Sequence, residues 1–201
     1  IYFEFIEMDS YGLHNQKVIN LSEVKKNINY AIVISTNSGL WRYKIGDTIK
    51  FTSISPYRIQ ISGRTKNFIN AFGEELIIEN AEKALTKTLL THKLNIVEYT
   101  VAPFYMNKKK SGHHQWLIEF KNPPKNLLGF KKDLDINLQK TNSDYKSKRF
   151  KNITMSEIEI IVARKNLFYD WLKKNKKLGG QNKVPRLCND RKLIEELLKI
   201  I

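Results

Sequence analysis

The sequence predicts a mixed α/β (α+β) fold, in which a small β-rich subdomain, a partial barrel, precedes a compact C-terminal domain. That second domain is expected to hold a roughly three-stranded sheet with flanking helices. Three observations predict it. Residues 1–62 carry only short β-rich runs punctuated by turn residues, the pattern of strands on tight connections. Beyond Gly63-Arg64 the apolar residues recur at helical spacing, interrupted by short alternating runs. Composition agrees, because apolar residues make up 41% of the 201 and aromatic residues 11%, as in folded globular chains.

In order along the chain, residues 2–6, 30–36, 48–54 and 58–62 read as strands. Ser10-Tyr11-Gly12, Asn37-Ser38-Gly39, Ile45-Gly46-Asp47 and Ser55-Pro56 read as the turns between them. Residues 22–26 are long enough for one helical turn. Ile78, Ala81, Leu85 and Leu89 share one helical face, which predicts an amphipathic helix over 78–91. Val97, Tyr99 and Val101 alternate, as do Trp116, Ile118 and Phe120, giving two strands about a polar turn at 107–112. Leu127, Phe130, Leu134 and Leu138 mark a second helix; Ile158, Ile160 and Val162 mark a third strand. Leu167, Phe168, Trp171 and Leu172 mark a third helix ending near Gly179-Gly180, and Leu193, Ile194, Leu197 and Leu198 a last one. The order α-β-β-α-β-α-α divides the chain into a β subdomain at 1–62, a hinge at 63–68 and a mobile C-terminal domain at 69–201.

The chain starts Ile1-Tyr2-Phe3-Glu4-Phe5, without an initiator Met or a signal-peptide pattern, and reads as a strand already in progress, hence as a fragment. No apolar run reaches the roughly 18–20 residues of a membrane span, so no membrane is expected. The single cysteine, Cys188, allows no internal disulfide and suits a reducing compartment such as the cytoplasm. The net charge of +15 raises nucleic-acid binding as a possibility. The lysines, however, are scattered in pairs and triplets, with no zinc-finger spacing and no RNA-recognition signature, which favours a solvated surface. No nucleic-acid partner is expected.

Three segments carry chemistry. In Ser38-Gly39-Leu40-Trp41-Arg42-Tyr43-Lys44-Ile45-Gly46-Asp47, a Gly-Asp pair puts an acceptor-only carboxylate on a sharp turn, suited to the two hydroxyls of a ribose. By itself such a pair is far more readily a plain hairpin turn, since Gly-Asp pairs are frequent in turns. Between the two domains, Gly63-Arg64-Thr65-Lys66-Asn67-Phe68 runs on through Gly73-Glu74-Glu75-Leu76. Arg64 there offers a planar fork of donors to ribose or phosphate oxygens; the plain alternative is a charged linker. Lastly, Gly179-Gly180-Gln181-Asn182-Lys183-Val184-Pro185-Arg186 is no P-loop, since it does not join a strand to a helix. Lys183 sits in a polar segment between helices, where a lysine is ordinarily just solvated.

Taken in order, these segments resemble the adenylate-forming superfamily, and within it the Gretchen Hagen (auxin-responsive promoter) family of acyl-acid amido synthetases. Tyr2-Phe3-Glu4-Phe5, the Ser38–Asp47 stretch, Ser156-Glu157-Ile158-Glu159-Ile160 running into Leu167-Phe168, and Gln181-Asn182-Lys183-Val184-Pro185-Arg186 all look like that family. The resemblance implies a ligase that adenylates a carboxylic acid with ATP and passes the acyl group to an amino acid amine. It implies that Asp47 holds the ATP ribose and Arg64 contacts nucleotide. Lys66 would lie at the pivot, Lys183 would enter the active site during adenylation, and Tyr43 would line the nucleotide pocket. The phosphate-gripping loop and the magnesium ligand would lie upstream, in a missing N-terminal domain of the same protein, leaving this chain inactive alone. ATP and magnesium are the expected cofactors.

A non-catalytic binding module and a basic nucleic-acid-binding domain remain the alternatives. His113-His114 invites a metal reading, but neighbours in a strand point to opposite faces and no ligand-spaced Cys or acid surrounds them, so no metal site is expected. Cys188 has no nearby histidine in sequence and reads as packing.

Overall fold

A computed structural model of the chain describes residues 1–65, 68–106, 111–179 and 182–201. The chain divides into two compact units, Ile1–Lys66 and Asn67–Ile201.

In the first unit, strands β1 (Tyr2–Glu7), β2 (Val18–Asn20), β3 (Asn29–Ser35), β4 (Tyr43–Ile54) and β5 (Tyr57–Arg64) form one antiparallel sheet in the order β2-β1-β3-β4-β5. The sheet is open, with β2 and β5 at its edges, so the partial barrel expected from the strand pattern does not close. A β-rich run buries one row of side chains, and here Phe5, Ile19, Tyr30, Ile49 and Phe51 form the packed cluster. Phe5 and Phe51 meet edge to face at 5.3 Å, the arrangement ring quadrupoles favour. Residues 21–23 form a single 3₁₀ turn, shorter than the helical turn allowed at 22–26.

The second unit has three layers. Strands β6 (Phe68–Ile69) and β7 (Leu76–Ile77) pair with each other and lead into helix α1 (Ile78–His92). Strands β8 (Ile96–Phe104), β9 (His113–Phe120) and β10 (Glu159–Val162) make the sheet, ordered β10-β9-β8. β8 and β9 are antiparallel, whereas β9 and β10 are parallel. A parallel pair needs a long crossover, and helices α2 (Leu127–Thr141) and α3 (Ser143–Arg149) supply it. α1 and α2 cover one face, where Ala81, Leu85, Phe130 and Leu134 meet Tyr99, Trp116 and Ile118. Helices α4 (Leu167–Lys174) and α5 (Lys192–Leu198) cover the other, where Phe168, Trp171 and Ile194 meet Ala102 and Leu117. β9 is therefore buried along its whole length, as a central strand covered on both faces must be.

Three sequence expectations change. α3 was not foreseen: in its seven residues Tyr145 is the one buried side chain, and the helix starts because the Asn142 side chain accepts from the Tyr145 N–H. α4 ends at Lys174, well before Gly179, because the chain beyond Trp171 and Leu172 runs into four lysines and an Asn with no apolar side chain for the core. Gly46-Asp47 lies inside β4, not in a turn between strands. Among the described residues no helix is long and apolar enough to cross a membrane.

Candidate functional site

The residues singled out from sequence fall into two groups, one in each unit. In the first, β3 advances only from Ala31 to Val33 while β4 runs back from Thr48 to Lys44, so residues 45–47 bow out of the ladder. The chain takes a positive φ of +89° at Gly46 in this bulge, a conformation that glycine adopts freely and in which a side chain would be strained. A second irregularity lies in the β4–β5 pairing, where Thr48 faces Gly63 but Ile49 faces Ile61. The extra residue, Ser62, is buried and donates its hydroxyl proton to Asn29 at 2.5 Å, with Thr48 Oγ1 3.1 Å away. These two bulges bring Asp47 opposite Arg64. Arg64 Nε lies 3.2 Å from Asp47 Oδ1, and the Thr65 N–H donates to the Gly46 carbonyl at 2.9 Å.

The pair is open to solvent, with side-chain exposures of 62% for Arg64 and 37% for Asp47. An exposed ion pair contributes little to stability, about 0–1 kcal/mol, so these two side chains are not there to hold the sheet. They present an acceptor and a donor fork side by side, a set suited to hydroxyl and phosphate oxygens. Tyr43, at the start of β4, is 52% exposed. The hinge expected at 63–68 overlaps β5 at Gly63-Arg64 and β6 at Phe68; Lys66 lies outside the described residues.

The second group surrounds Lys183, which is exposed and makes no ion pair among the described residues. Gly180 and Gln181 lie outside the described residues. The segment from Val184 to Cys188 is pinned. Val184 and Leu187 are buried, and the backbone lies along the outer edge of β8 with a parallel bridge between Val101 and Leu187. The Val101 N–H donates to Arg186 O at 2.8 Å, the Cys188 N–H to Val101 O at 2.9 Å, and Thr100 Oγ1 to Pro185 O at 2.7 Å. Arg186 donates to Glu82 on α1 and to Glu98 on β8, and its guanidinium sits 5.4 Å from the Tyr99 ring centre. Burial opposes the Arg186 charge, but Glu98 and Glu82 outweigh it and raise the pKa above its ordinary value. Nothing in the sequence spacing pointed to this anchor, since Glu82 lies on α1, Glu98 on β8 and Arg186 in the connection before α5.

His113, His114 and Cys188 have partners of their own in the second unit. His114 and Glu74 form a wholly buried pair at 2.6 Å, while His113 lies 3.3 Å from Glu159 and stacks on Phe104. The two histidines thus have different partners, and among the described residues no group of three or more His, Cys, Asp or Glu could hold a metal. Cys188 is half-buried, and burial first, then Asp190, pushes its thiol up to about 11. At pH 8 the thiolate fraction is then about one in a thousand. Iodoacetamide should alkylate native Cys188 far more slowly than a free thiol, with a rate rising about tenfold per pH unit up to about pH 11. A native rate matching that of glutathione would reject this environment.

The sequence matches two known domains in succession. The GH3 family C-terminal domain matches residues 79–192 and the GH3 family central domain matches residues 1–64. Indole-3-acetic acid-amido synthetase GH3.3 of Arabidopsis thaliana is 25% identical over 209 residues, covering 98% of this chain and 35% of that protein. The 4-substituted benzoates-glutamate ligase GH3.12 of the same plant is 24% identical over 212 residues, covering 98% and 36%. Among solved structures, GH3.15 acyl acid amido synthetase superposes with a TM-score of 0.69 at 22% identity, over 98% of this chain and 36% of that one. The chain spans about 35% of the length of the curated relatives it matches.

Proposed function

The chain belongs to the GH3 family, and we propose that it forms the central and C-terminal part of an ATP-dependent acyl-acid amido synthetase. The observation that carries this reading is the match of both family domains, in order, across residues 1–64 and 79–192. The relatives' names describe ligases of indole-3-acetic acid and of 4-substituted benzoates with glutamate. For this chain we take the class alone: a carboxylic acid joined to an amino acid amine.

In the proposed reaction a carboxylate oxygen of the acid attacks the α-phosphorus of ATP, and pyrophosphate leaves with the electrons of the broken P–O bond. The amine nitrogen then attacks the acyl carbon of the acyl-adenylate, loses a proton and expels AMP. The first step brings an anion to a polyanion, so positive charge held at the α-phosphate lowers its barrier. Lys183 supplies that charge. Asp47 accepts from the ribose hydroxyls, Arg64 donates to nucleotide oxygens beside it, and Tyr43 lines the nucleotide pocket. Lys66 is the proposed pivot of a mobile C-terminal domain. Magnesium would serve such chemistry, but the described residues offer no converging ligands for it, so its ligands would have to come from outside them. The rest of the active site belongs to an N-terminal domain outside this chain.

The test is ATP-dependent pyrophosphate release by the full-length protein with a panel of carboxylic acids and mixed amino acids. Release that depends on one acid supports the reading; a folded protein that releases none with any acid rejects it. Within the same assay, Asp47→Ala should raise the KM for ATP by roughly ten- to a hundredfold, the worth of a hydrogen bond to a charged group. Its thermal midpoint should hardly move, because the Arg64 pair is exposed. An unchanged KM for ATP would remove Asp47 from the nucleotide site.

A further inference from the structure

Between α4 and α5, the described residues 175–179 and 182–191 form no helix or strand of their own. A lysine in the middle of so long a connection would not by itself hold its ammonium in one place, and catalysis by a fixed charge depends on that place. The segment after Lys183 is held by a narrow set of contacts. The backbone bonds to β8 fix Pro185 through Cys188. The one charged side chain in that stretch, Arg186, reaches back across two elements, to Glu82 of α1 and Glu98 of β8.

We infer that Arg186 is a positioning residue for Lys183: its guanidinium, clasped between Glu82 and Glu98 over the ring of Tyr99, fixes the Pro185–Cys188 stretch against β8 just beyond Lys183. The inference rests on the adenylation role proposed for Lys183. The clasp is tied to the core and not only to the surface. Tyr99 stacks on Trp116 with ring centres 5.5 Å apart and planes at 13°. The Tyr99 hydroxyl donates to the same Glu82 oxygen that Arg186 meets, at 2.9 Å. Burial first, then Glu82, raises the Tyr99 pKa, so that hydroxyl stays a donor. A planar fork that meets two carboxylates and lies over an aromatic ring cannot be reproduced by an ammonium. The Arg186 side chain is 43% exposed, and pairs that open add little to global stability, so its loss should register at Lys183 and not in the fold as a whole.

The experiment is a double-mutant cycle in the full-length protein, with the two half-reactions read separately. Pyrophosphate release reports adenylation; amide formed from chemically prepared acyl-adenylate reports aminolysis. Arg186→Gln should lower the kcat of adenylation by roughly ten- to a hundredfold, as small misplacements of a catalytic group do. It should leave the KM for ATP, the aminolysis rate and the thermal midpoint near those of the unaltered protein. In the Lys183→Ala background the same change should have no further effect on adenylation, because a residue acting through Lys183 has nothing left to position. Arg186→Lys, which keeps the charge but not the planar fork or the full reach, should retain an intermediate rate. Losses that add in the double variant, or that fall equally on both half-reactions, overturn the inference and leave Arg186 a structural residue. If Lys183→Ala itself leaves adenylation untouched, the role proposed for Lys183 fails first and the positioning role with it. If Lys183→Ala abolishes adenylation while Arg186→Gln does not slow it, only the inference about Arg186 falls.

Discussion

Lys183→Ala in the full-length protein should lower adenylation by about 10²–10³-fold, the cost of removing one preorganised charge or donor from a transition state, about 2.7–4 kcal/mol. Amide formation from supplied acyl-adenylate should be spared. The reason for the split is electrostatic. Adenylation drives an anionic acid onto the triphosphate and builds charge on the α-phosphate oxygens. Aminolysis instead brings a neutral amine to an acyl carbon, with less need of a cation at phosphorus. Lys183 suits the first task because it is exposed and unpaired among the described residues, while the residues just after it are pinned to β8. A lysine already committed to a carboxylate would have to break that pair before it could help. Lys183→Arg distinguishes charge from shape: a guanidinium keeps the charge but is wider and planar, so partial activity is expected. Equal losses in both half-reactions would show that the substitution disturbs the domain and not one step. The measurement is single-turnover pyrophosphate release beside amide formation, on protein whose thermal midpoint is unchanged.

How far the sequence could foresee these features depends on how local their causes are. α1 was legible because Ile78, Ala81, Leu85 and Leu89 repeat at helical spacing, and it stops one residue past the predicted end where Lys93 turns left-handed. The three-stranded sheet was legible from alternation, although Leu117 also proved buried, because α4 and α5 cover the second face. The Gly46-Asp47 bulge was misread as a turn. Both conformations want a glycine with positive φ, and only the register with β3 separates them. α3 escaped because one buried Tyr in seven residues gives no period. At the sites, Asp47, Arg64 and Lys183 were picked out by resemblance, but their surroundings were not. The Arg186 clasp joins residues 88 and 104 positions apart, and no spacing rule spans such distances. The same holds for Asp135 and Arg149, whose side chains no sequence pattern singled out and which are almost wholly buried.

That buried pair sets the other large effect. Asp135→Ala should destabilise the second unit by about 3–5 kcal/mol, the usual cost of leaving one member of a buried ion pair alone. Arg149 and Asp135 side chains are 8% and 4% exposed. They meet through two bonds, Nε to Oδ1 at 2.9 Å and Nη2 to Oδ2 at 3.0 Å. Asp135 also accepts from the Tyr145 hydroxyl at 2.6 Å and from Gln139 at 2.8 Å, so one carboxylate ties α2 to α3. Without it, a buried guanidinium loses its carboxylate and keeps only its bonds to Asn152 and the Met155 carbonyl, a fully buried phenol loses its acceptor, and a loss of this size is a large share of a stability of about 5–15 kcal/mol. The triple change Asp135→Leu, Tyr145→Phe and Arg149→Met should recover most of it, because apolar groups of similar volume avoid the desolvation that the charges suffer and leave no buried hydroxyl without an acceptor. Urea unfolding monitored by fluorescence of the buried Trp116 and Trp171 measures both; a cost below about 1 kcal/mol for Asp135→Ala would mean the pair behaves as a surface one. The same network sets an alkaline limit. Burial first, and Asp135 second, hold the Tyr145 pKa well above its ordinary value of 10.0. The folded value therefore exceeds the unfolded one, and the contribution is complete below about pH 10 and declines as pH rises past it. Tyr145→Phe should be less stable than the unaltered chain at neutral pH and should lose less on going to pH 11, since it has no proton there to surrender.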